Sequence, residues 1–103
     1  MKPKMKLSKE QENEMFFYLK RELVRLSNVM SKVKLVENVD ERISEVFALA
    51  KSYFNDAKYF YDKKEFVKSF ELVNYCWGLL DALAISKTLS VPKRFRSWFK
   101  AEF

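Results

Sequence analysis

The feature that most constrains the fold is a series of apolar residues spaced alternately three and four positions apart. One such run comprises Ile43, Val46, Ala50, Tyr53, Ala57 and Phe60. This spacing places the side chains on one side of an α-helix, and its near-heptad period is typical of helices that cross at shallow angles. Comparable runs extend from Met15 to Val33 and from Phe66 to Ala84. We therefore predict three long helices.

The composition favours helices over a β-sheet. Glycine occurs once and proline twice among the 103 residues, which leaves few residues for tight hairpin turns. Apolar residues make up 49% of the chain, enough for the core of one domain without disulfides. We predict a single all-α domain that spans residues 1–103.

Polar residues between the runs set the expected helix bounds, which are about residues 8–35, 39–61, 64–89 and 92–102. Ser8 begins a capping box, and residues 62–65 have the same form. Either Asn38 with Glu41, or Asp40 alone, caps the second helix. Because the connections are short, consecutive helices should be antiparallel neighbours. The predicted fold is an antiparallel three-helix bundle of spectrin-repeat-like proportions with a short C-terminal fourth helix.

Several chemistries lack their residues in this sequence. The chain has no histidine and one cysteine, which excludes Ser-His-Asp and Cys-His nucleophile systems and zinc sites. A single glycine excludes a P-loop or a dinucleotide loop. We therefore predict that the protein is not an enzyme and binds no cofactor or metal. Without a signal peptide or an apolar run of the roughly 20 residues that span a bilayer, we expect it to be cytoplasmic.

The third helix carries residues that are candidates for contacts with another chain: Tyr75, Gly78, Asp81 and Ala82. Glycine inside a helix costs about 1 kcal/mol relative to alanine. One interpretation of Gly78 is a close-packing notch for an aromatic ring such as that of Tyr53 or Phe54. The other is a contact point for another chain, since Tyr75, Gly78 and Ala82 share one face, where a dimer interface is plausible.

Two further residues of this helix have alternative roles. Asp81 lies near the core side, where a carboxylate needs a partner. It is therefore either a structural hydrogen-bond or ion-pair acceptor or a binding-site carboxylate. Cys76 flanks the apolar run and is most simply a small buried apolar residue.

The charge of the chain is concentrated at its two ends. Residues 1–10 and 87–103 hold nine basic and two acidic side chains, whereas residues 11–86 hold eleven and twelve. The candidate contacts for nucleic acid near the C-terminus are Lys93, Arg94, Arg96 and Lys100. They alternate with aromatic residues that either fold back as a lid over the bundle or stay available for a partner: Phe95, Trp98, Phe99 and Phe103. Aromatic residues interleaved with basic ones suit base stacking together with phosphate neutralisation.

The segment from Tyr53 to Ala84 carries a family resemblance. Its residues are the Asp56-Ala57 pair, Tyr75, Gly78 and Leu80-Asp81-Ala82, on either side of a polar turn. They resemble a small archaeal family catalogued as domain-of-unknown-function family 357. The resemblance implies a small helical bundle and no particular activity. This chain departs from the family at Lys64-Glu65, where Gly-Asp is usual, and at Ser69, where alanine is usual.

These observations predict a non-catalytic helical interaction or scaffold module. We expect a protein partner, either a second copy in a homodimer or another member of a complex. The candidate interaction residues are Tyr75, Gly78, Asp81, Ala82, Phe95, Trp98 and Phe99. The alternative is nucleic-acid binding through the basic N- and C-terminal segments.

Overall fold

A computed structural model describes residues 6–103 and shows three long helices packed against one another. The helices are α1 (Lys9–Met30), α2 (Glu41–Asp62) and α3 (Phe66–Ile85), and a 3-10 helix spans Lys93–Trp98. Two short strands, β1 (Lys34–Leu35) and β2 (Leu89–Ser90), pair in antiparallel fashion. The predicted all-α bundle of three helices with a short fourth helix is confirmed.

The first two helices begin at the side-chain caps that the sequence predicted. At α1 the Ser8 N–H donates to Gln11 Oε1 at 3.0 Å, and the Gln11 N–H donates to Ser8 Oγ at 3.1 Å. At α2 the alternative with Asp40 alone is the one observed, since its Oδ1 accepts the Arg42 N–H at 2.7 Å. The predicted box at residues 62–65 is wrong, because the residue before α3 is Glu65 and its side chain makes no capping hydrogen bond.

Helices α1 and α3 end earlier than the sequence predicted. They end at Met30 and Ile85, whereas the expected ends were about residues 35 and 89. The residues beyond these ends form β1 and β2, and the Val36 N–H next to β1 donates to the Thr88 carbonyl at 2.9 Å. The pairing satisfies backbone groups that a longer helix would have satisfied internally. Short apolar runs fit a helical period and a strand equally well, so the sequence pattern did not separate the two.

A lysine in the left-handed region of backbone space follows each helix of the α2–α3 hairpin. The φ angle is 60° at Lys64 and 61° at Lys87. After α2 the Glu65 N–H donates to the Phe60 carbonyl at 2.9 Å, the pattern of a Schellman motif. Glycine is favoured at this position because it has no Cβ to clash. The chain therefore uses lysine where glycine would be more stable, and its only glycine lies elsewhere.

The core lies between the three helices. Helix α1 contributes Leu19, Leu26 and Val29, which are fully buried. In the α2–α3 interface the buried Ser69 Oγ donates to the Ala57 carbonyl at 2.8 Å. This bond explains how a serine is accommodated at a position where the family resemblance indicates alanine. Among the described helices, none is long and apolar enough to cross a membrane.

Candidate interaction face

The outer face of α3 carries an exposed row of residues that we call the α3 stripe: Tyr75, Gly78, Ala82 and Ile85. They are spaced three, four and three positions apart, so they lie on one side of the helix. The side chain of Tyr75 is 59% exposed and that of Ile85 is 61% exposed. The sequence had indicated the first three. Ile85 was missed, although its spacing continues the row.

Over residues 75–85 the only charged residue of helix α3 is Asp81, whereas the first turns of the helix also carry the exposed Lys68 and Glu71. Helix α3 is the most apolar and the least amphipathic of the three long helices. A helix with this property is normally buried on all sides. In α3, Val73 and Leu80 are fully buried on one side, while the α3 stripe faces solvent on another. The outer side of α3 from Tyr75 to Ile85 is therefore left uncovered by residues 6–103.

Gly78 is not the close-packing notch that one interpretation of the sequence predicted. The residue is exposed, and a Cβ built on it meets no atom within 4 Å among the described residues. Its φ angle is also not in the left-handed region. Neither Tyr53 nor Phe54 packs on it, since the buried residues of α3, such as Val73 and Leu80, lie on the other side of the helix. The fold of this chain supplies no reason for a glycine at this position.

The ring of Tyr75 extends the exposed face towards α2. Its centroid lies 5.6 Å from that of Tyr53, with the ring planes inclined by 37°. One helical turn before Tyr53 is Leu49, whose side chain is 43% exposed. The α3 stripe therefore continues into an apolar margin that α2 provides.

Charged side chains are absent from the exposed part of α3 between Glu71 and Lys87. The only charged residue within that interval is Asp81, which is half-buried and directed to the C-terminal segment. In a chain that is 33% charged, an uncharged face of this length differs from the outer sides of α1 and α2. Interface centres are depleted in charged residues in the same way.

Asp81 has the structural role that one of its two interpretations predicted. Its Oδ1 accepts the backbone N–H of Lys100 at 3.0 Å. The bond joins α3 to the segment that follows the 3-10 helix. It uses the carboxylate as an anchor within the chain.

The C-terminal segment, residues 91–103, folds back on the bundle as a lid. Phe95 and Phe99 are 5% and 6% exposed, and the Phe99 ring meets Trp77 edge to face at 5.7 Å. The half-buried Trp98 lies under the guanidinium of Arg25, 5.2 Å from the ring centroid. These three aromatic residues had been candidates for contact with a partner, and in this conformation the chain's own core covers them. Their burial depends on a docking surface that the local sequence does not show.

The basic side chains of this segment remain at the surface. Lys93, Arg94, Arg96 and Lys100 are all exposed, and Arg96 Nε also donates to the Val91 carbonyl at 3.1 Å. The rings of Phe95 and Phe99 are buried. The exposed aromatic ring left here for base stacking is that of Phe103, which is 55% exposed and lies 5.0 Å from the guanidinium of Arg96. Lys2 and Lys4 of the other basic cluster lie outside the described residues. Nucleic-acid binding through the two ends stays a prediction.

The family follows from a comparison of the whole chain with known families. Residues 17–89 match the model of the family described as "Protein of unknown function (DUF357)". The chain belongs to this family. The match contains most of α1 and all of α2 and α3, and it is wider than the segment that suggested the resemblance. No curated protein and no solved structure matches the chain significantly.

Within this DUF357 chain the α3 stripe lies inside the matched region, and the lid lies outside it. At Lys64, where the resemblance indicated glycine, the φ angle is 60°, a left-handed conformation that glycine adopts without strain.

The carboxylate of Glu22 in the DUF357 chain lies where α1 meets α3 and the lid. Glu22 is mostly buried, its Oε2 has no hydrogen-bond partner among the described residues, and Arg25 Nη1 lies 3.6 Å from it. Burial, together with the charge of Glu22, raises the pKa of Tyr18 above its usual 10.0. Within residues 6–103 the buried Nε1 of Trp77 has no hydrogen-bond partner either. A buried polar atom without a partner costs free energy, so these two atoms lower the stability of the fold.

Two further features of the described residues are a groove at one end of the bundle and a buried thiol. The groove has a volume of about 520 Å³. Its Phe16, Tyr61 and Phe66 rings pack on one another at 5.6 to 6.0 Å, and both acidic and basic side chains line it. Cys76 is fully buried, and burial raises the pKa of its thiol to about 12. No cluster of three or more metal-ligating side chains occurs within residues 6–103.

Proposed function

We propose that this DUF357 chain is a non-catalytic helical interaction module that docks one helix of a protein partner on the α3 stripe. The observation that carries the proposal is that residues 75–85 of α3 include one charged residue, Asp81, while their outer side, with Tyr75 and Ile85, is exposed. Burying an aliphatic or aromatic side chain contributes about 1.5–3 kcal/mol. Tyr75 and Ile85 would each contribute part of this, because both are already partly covered.

The chemistry of the stripe specifies the kind of partner. Gly78 and Ala82 present almost no side chain, so the backbone of another helix can approach closely between Tyr75 and Ile85. A charged side chain placed there would lose hydration without gaining an ionic partner. The expected occupant is therefore a helix with an uncharged face of small and apolar residues.

Photo-crosslinking from the stripe tests this proposal. A benzophenone probe is attached to a cysteine placed by Tyr75→Cys, and the matched control carries the probe at Tyr59→Cys. The two tyrosines are 59% and 56% exposed, but Tyr59 lies outside the stripe, under the ammonium of Lys63. Cys76 is buried, so it should not be labelled.

The expected result is a protein crosslink from position 75 that is several times stronger than that from position 59. The product counts only when mass spectrometry maps it to an uncharged helix face of the captured chain. Equal yields from both positions, or no crosslink from position 75, would contradict the proposal.

A further inference from the structure

We infer that the helix docked on the α3 stripe is α3 of a second copy of this chain, in antiparallel orientation about a two-fold axis between Gly78 and Ala82. The inference rests on the proposed function and names its partner. It follows from three properties of the stripe, namely the order of its side chains, the charges at its ends and its length.

The order of large and small side chains in the stripe is complementary to itself. When two copies of α3 cross antiparallel at the midpoint of Gly78 and Ala82, each Gly78 faces Ala82 of the partner subunit. Each Tyr75 then faces Ile85 of the partner subunit, since both lie five residues from the midpoint. Small residues at the crossing let the backbones approach, and larger residues fill the space where the helices diverge. A two-fold interface requires such a pattern.

The charges that flank the stripe match the same arrangement. Glu71 precedes the stripe by four residues, and Lys87 follows it by two residues. Antiparallel pairing places Glu71 of each copy near Lys87 of the partner subunit, on both sides of the axis. Parallel pairing would instead place like charges together. The antiparallel order is thus the one in which the ends of the stripe attract each other.

The size of the stripe implies a weak dimer. Tyr75 and Ile85 are ten residues apart, which corresponds to about 15 Å along a helix. A contact of this length, even with the margin formed by Leu49 and Tyr53, buries less surface than the roughly 800 Å² per partner of a standard interface. Because standard-size interfaces have dissociation constants from micromolar to picomolar, we expect a weaker one, of about 10–100 μM, for this smaller contact.

Sedimentation equilibrium tests whether the partner is a second copy of this chain. The protein is measured between about 5 μM and 1 mM, a range that brackets the expected dissociation constant. The wild-type chain should shift from monomer to dimer over this range. Gly78→Lys should weaken dimerisation at least tenfold, because it places a long charged side chain at the crossing while the open space at Gly78 leaves the monomer intact. The matched control is Asn28→Lys, which adds the same charge to an exposed position of α1. It should leave dimerisation unchanged.

Disulfide formation tests the antiparallel order. Tyr75→Cys mixed with Ile85→Cys should form a crosslinked dimer, whereas Tyr75→Cys alone should not, because the two copies of position 75 lie about 15 Å apart along the axes. Parallel pairing predicts the reverse. Because Cys76 is buried, the wild-type chain should form no disulfide between copies and serves as the reference.

The outcomes separate this inference from the proposed function. A strict monomer at 1 mM, or a dimer that Gly78→Lys leaves intact, overturns the second copy as partner. If position 75 then crosslinks to an uncharged helix of a different protein, the docking role of the stripe stands. If it crosslinks to nothing, both proposals fail. A disulfide from Tyr75→Cys alone overturns the antiparallel order.

Discussion

Substitution of Gly78 by alanine tests whether the fold of the monomer requires a glycine at this position. We predict that Gly78→Ala raises the free energy of unfolding of the monomer by about 1 kcal/mol, the difference in helix propensity between the two residues. The full difference applies because the residue lies inside α3, is exposed, and has open space where the Cβ would be. A positive φ angle, which would strain alanine, is absent.

Urea denaturation followed by circular dichroism measures this change. The protein is kept at about 1 μM, well below the expected dissociation constant, so that association does not add to the stability. With a slope of about 1–2 kcal/mol per molar urea, the midpoint should rise by about 0.5–1 M without a change of slope. The melting temperature should rise by about 4–8 °C.

The reverse substitution, Ala82→Gly, is the matched control. It lies on the same exposed face of α3 and should lower stability by about the same 1 kcal/mol. A loss of stability in Gly78→Ala would refute the reasoning, since it would show that a neighbouring group needs the space. The close-packing interpretation would then return.

Three further substitutions test the hairpin, the lid and the buried thiol. Lys64→Gly should raise the free energy of unfolding by up to about 1 kcal/mol in the same urea assay, because glycine adopts the φ angle of 60° without strain. An unchanged free energy of unfolding would contradict this account of the turn. Asp81→Ala should speed hydrogen exchange of the Lys100 amide, because it removes the acceptor of that N–H. Asp81→Asn is the control, since it keeps an acceptor oxygen. An unchanged exchange rate in Asp81→Ala would show that the bond does not hold the lid. Because burial raises the pKa of Cys76 from 9.0 to about 12, its contribution to stability should be complete below pH 9 and fall as the pH rises towards 12. Cys76→Ala should remove that part of the pH dependence, and identical profiles for the two proteins would refute it.

The sequence predicts the helices well because helical periodicity is a local property. The three- and four-residue spacing in each run is visible among residues within two helical turns of one another. The capping at Ser8 and Asp40 is local as well. The β1–β2 pair could not be found in this way. Leu35 pairs with Leu89, and nothing near either residue indicates the other.

The candidate site was only partly predictable for the same reason. The period of α3 places Tyr75, Gly78 and Ala82 on one face, but it does not say whether α2 covers that face. The notch at Gly78 was wrong because the seam between α2 and α3 turns another flank of the helix inwards. The burial of Phe99 likewise depends on Trp77, which lies far from it in the sequence.

Exposed apolar residues are common on soluble proteins, so exposure alone does not identify an interface. Tyr59 illustrates the ordinary case, because charged residues surround it in sequence and the ammonium of Lys63 lies over its ring. Tyr75 is as exposed as Tyr59, yet no cation lies over its ring among the described residues, and it continues into a regular row without charge. The row also contains a glycine that lowers the stability of the isolated helix. The glycine costs about 1 kcal/mol of helix stability, and the proposed contact with another helix would offset this cost by burying the exposed side chains of Tyr75 and Ile85.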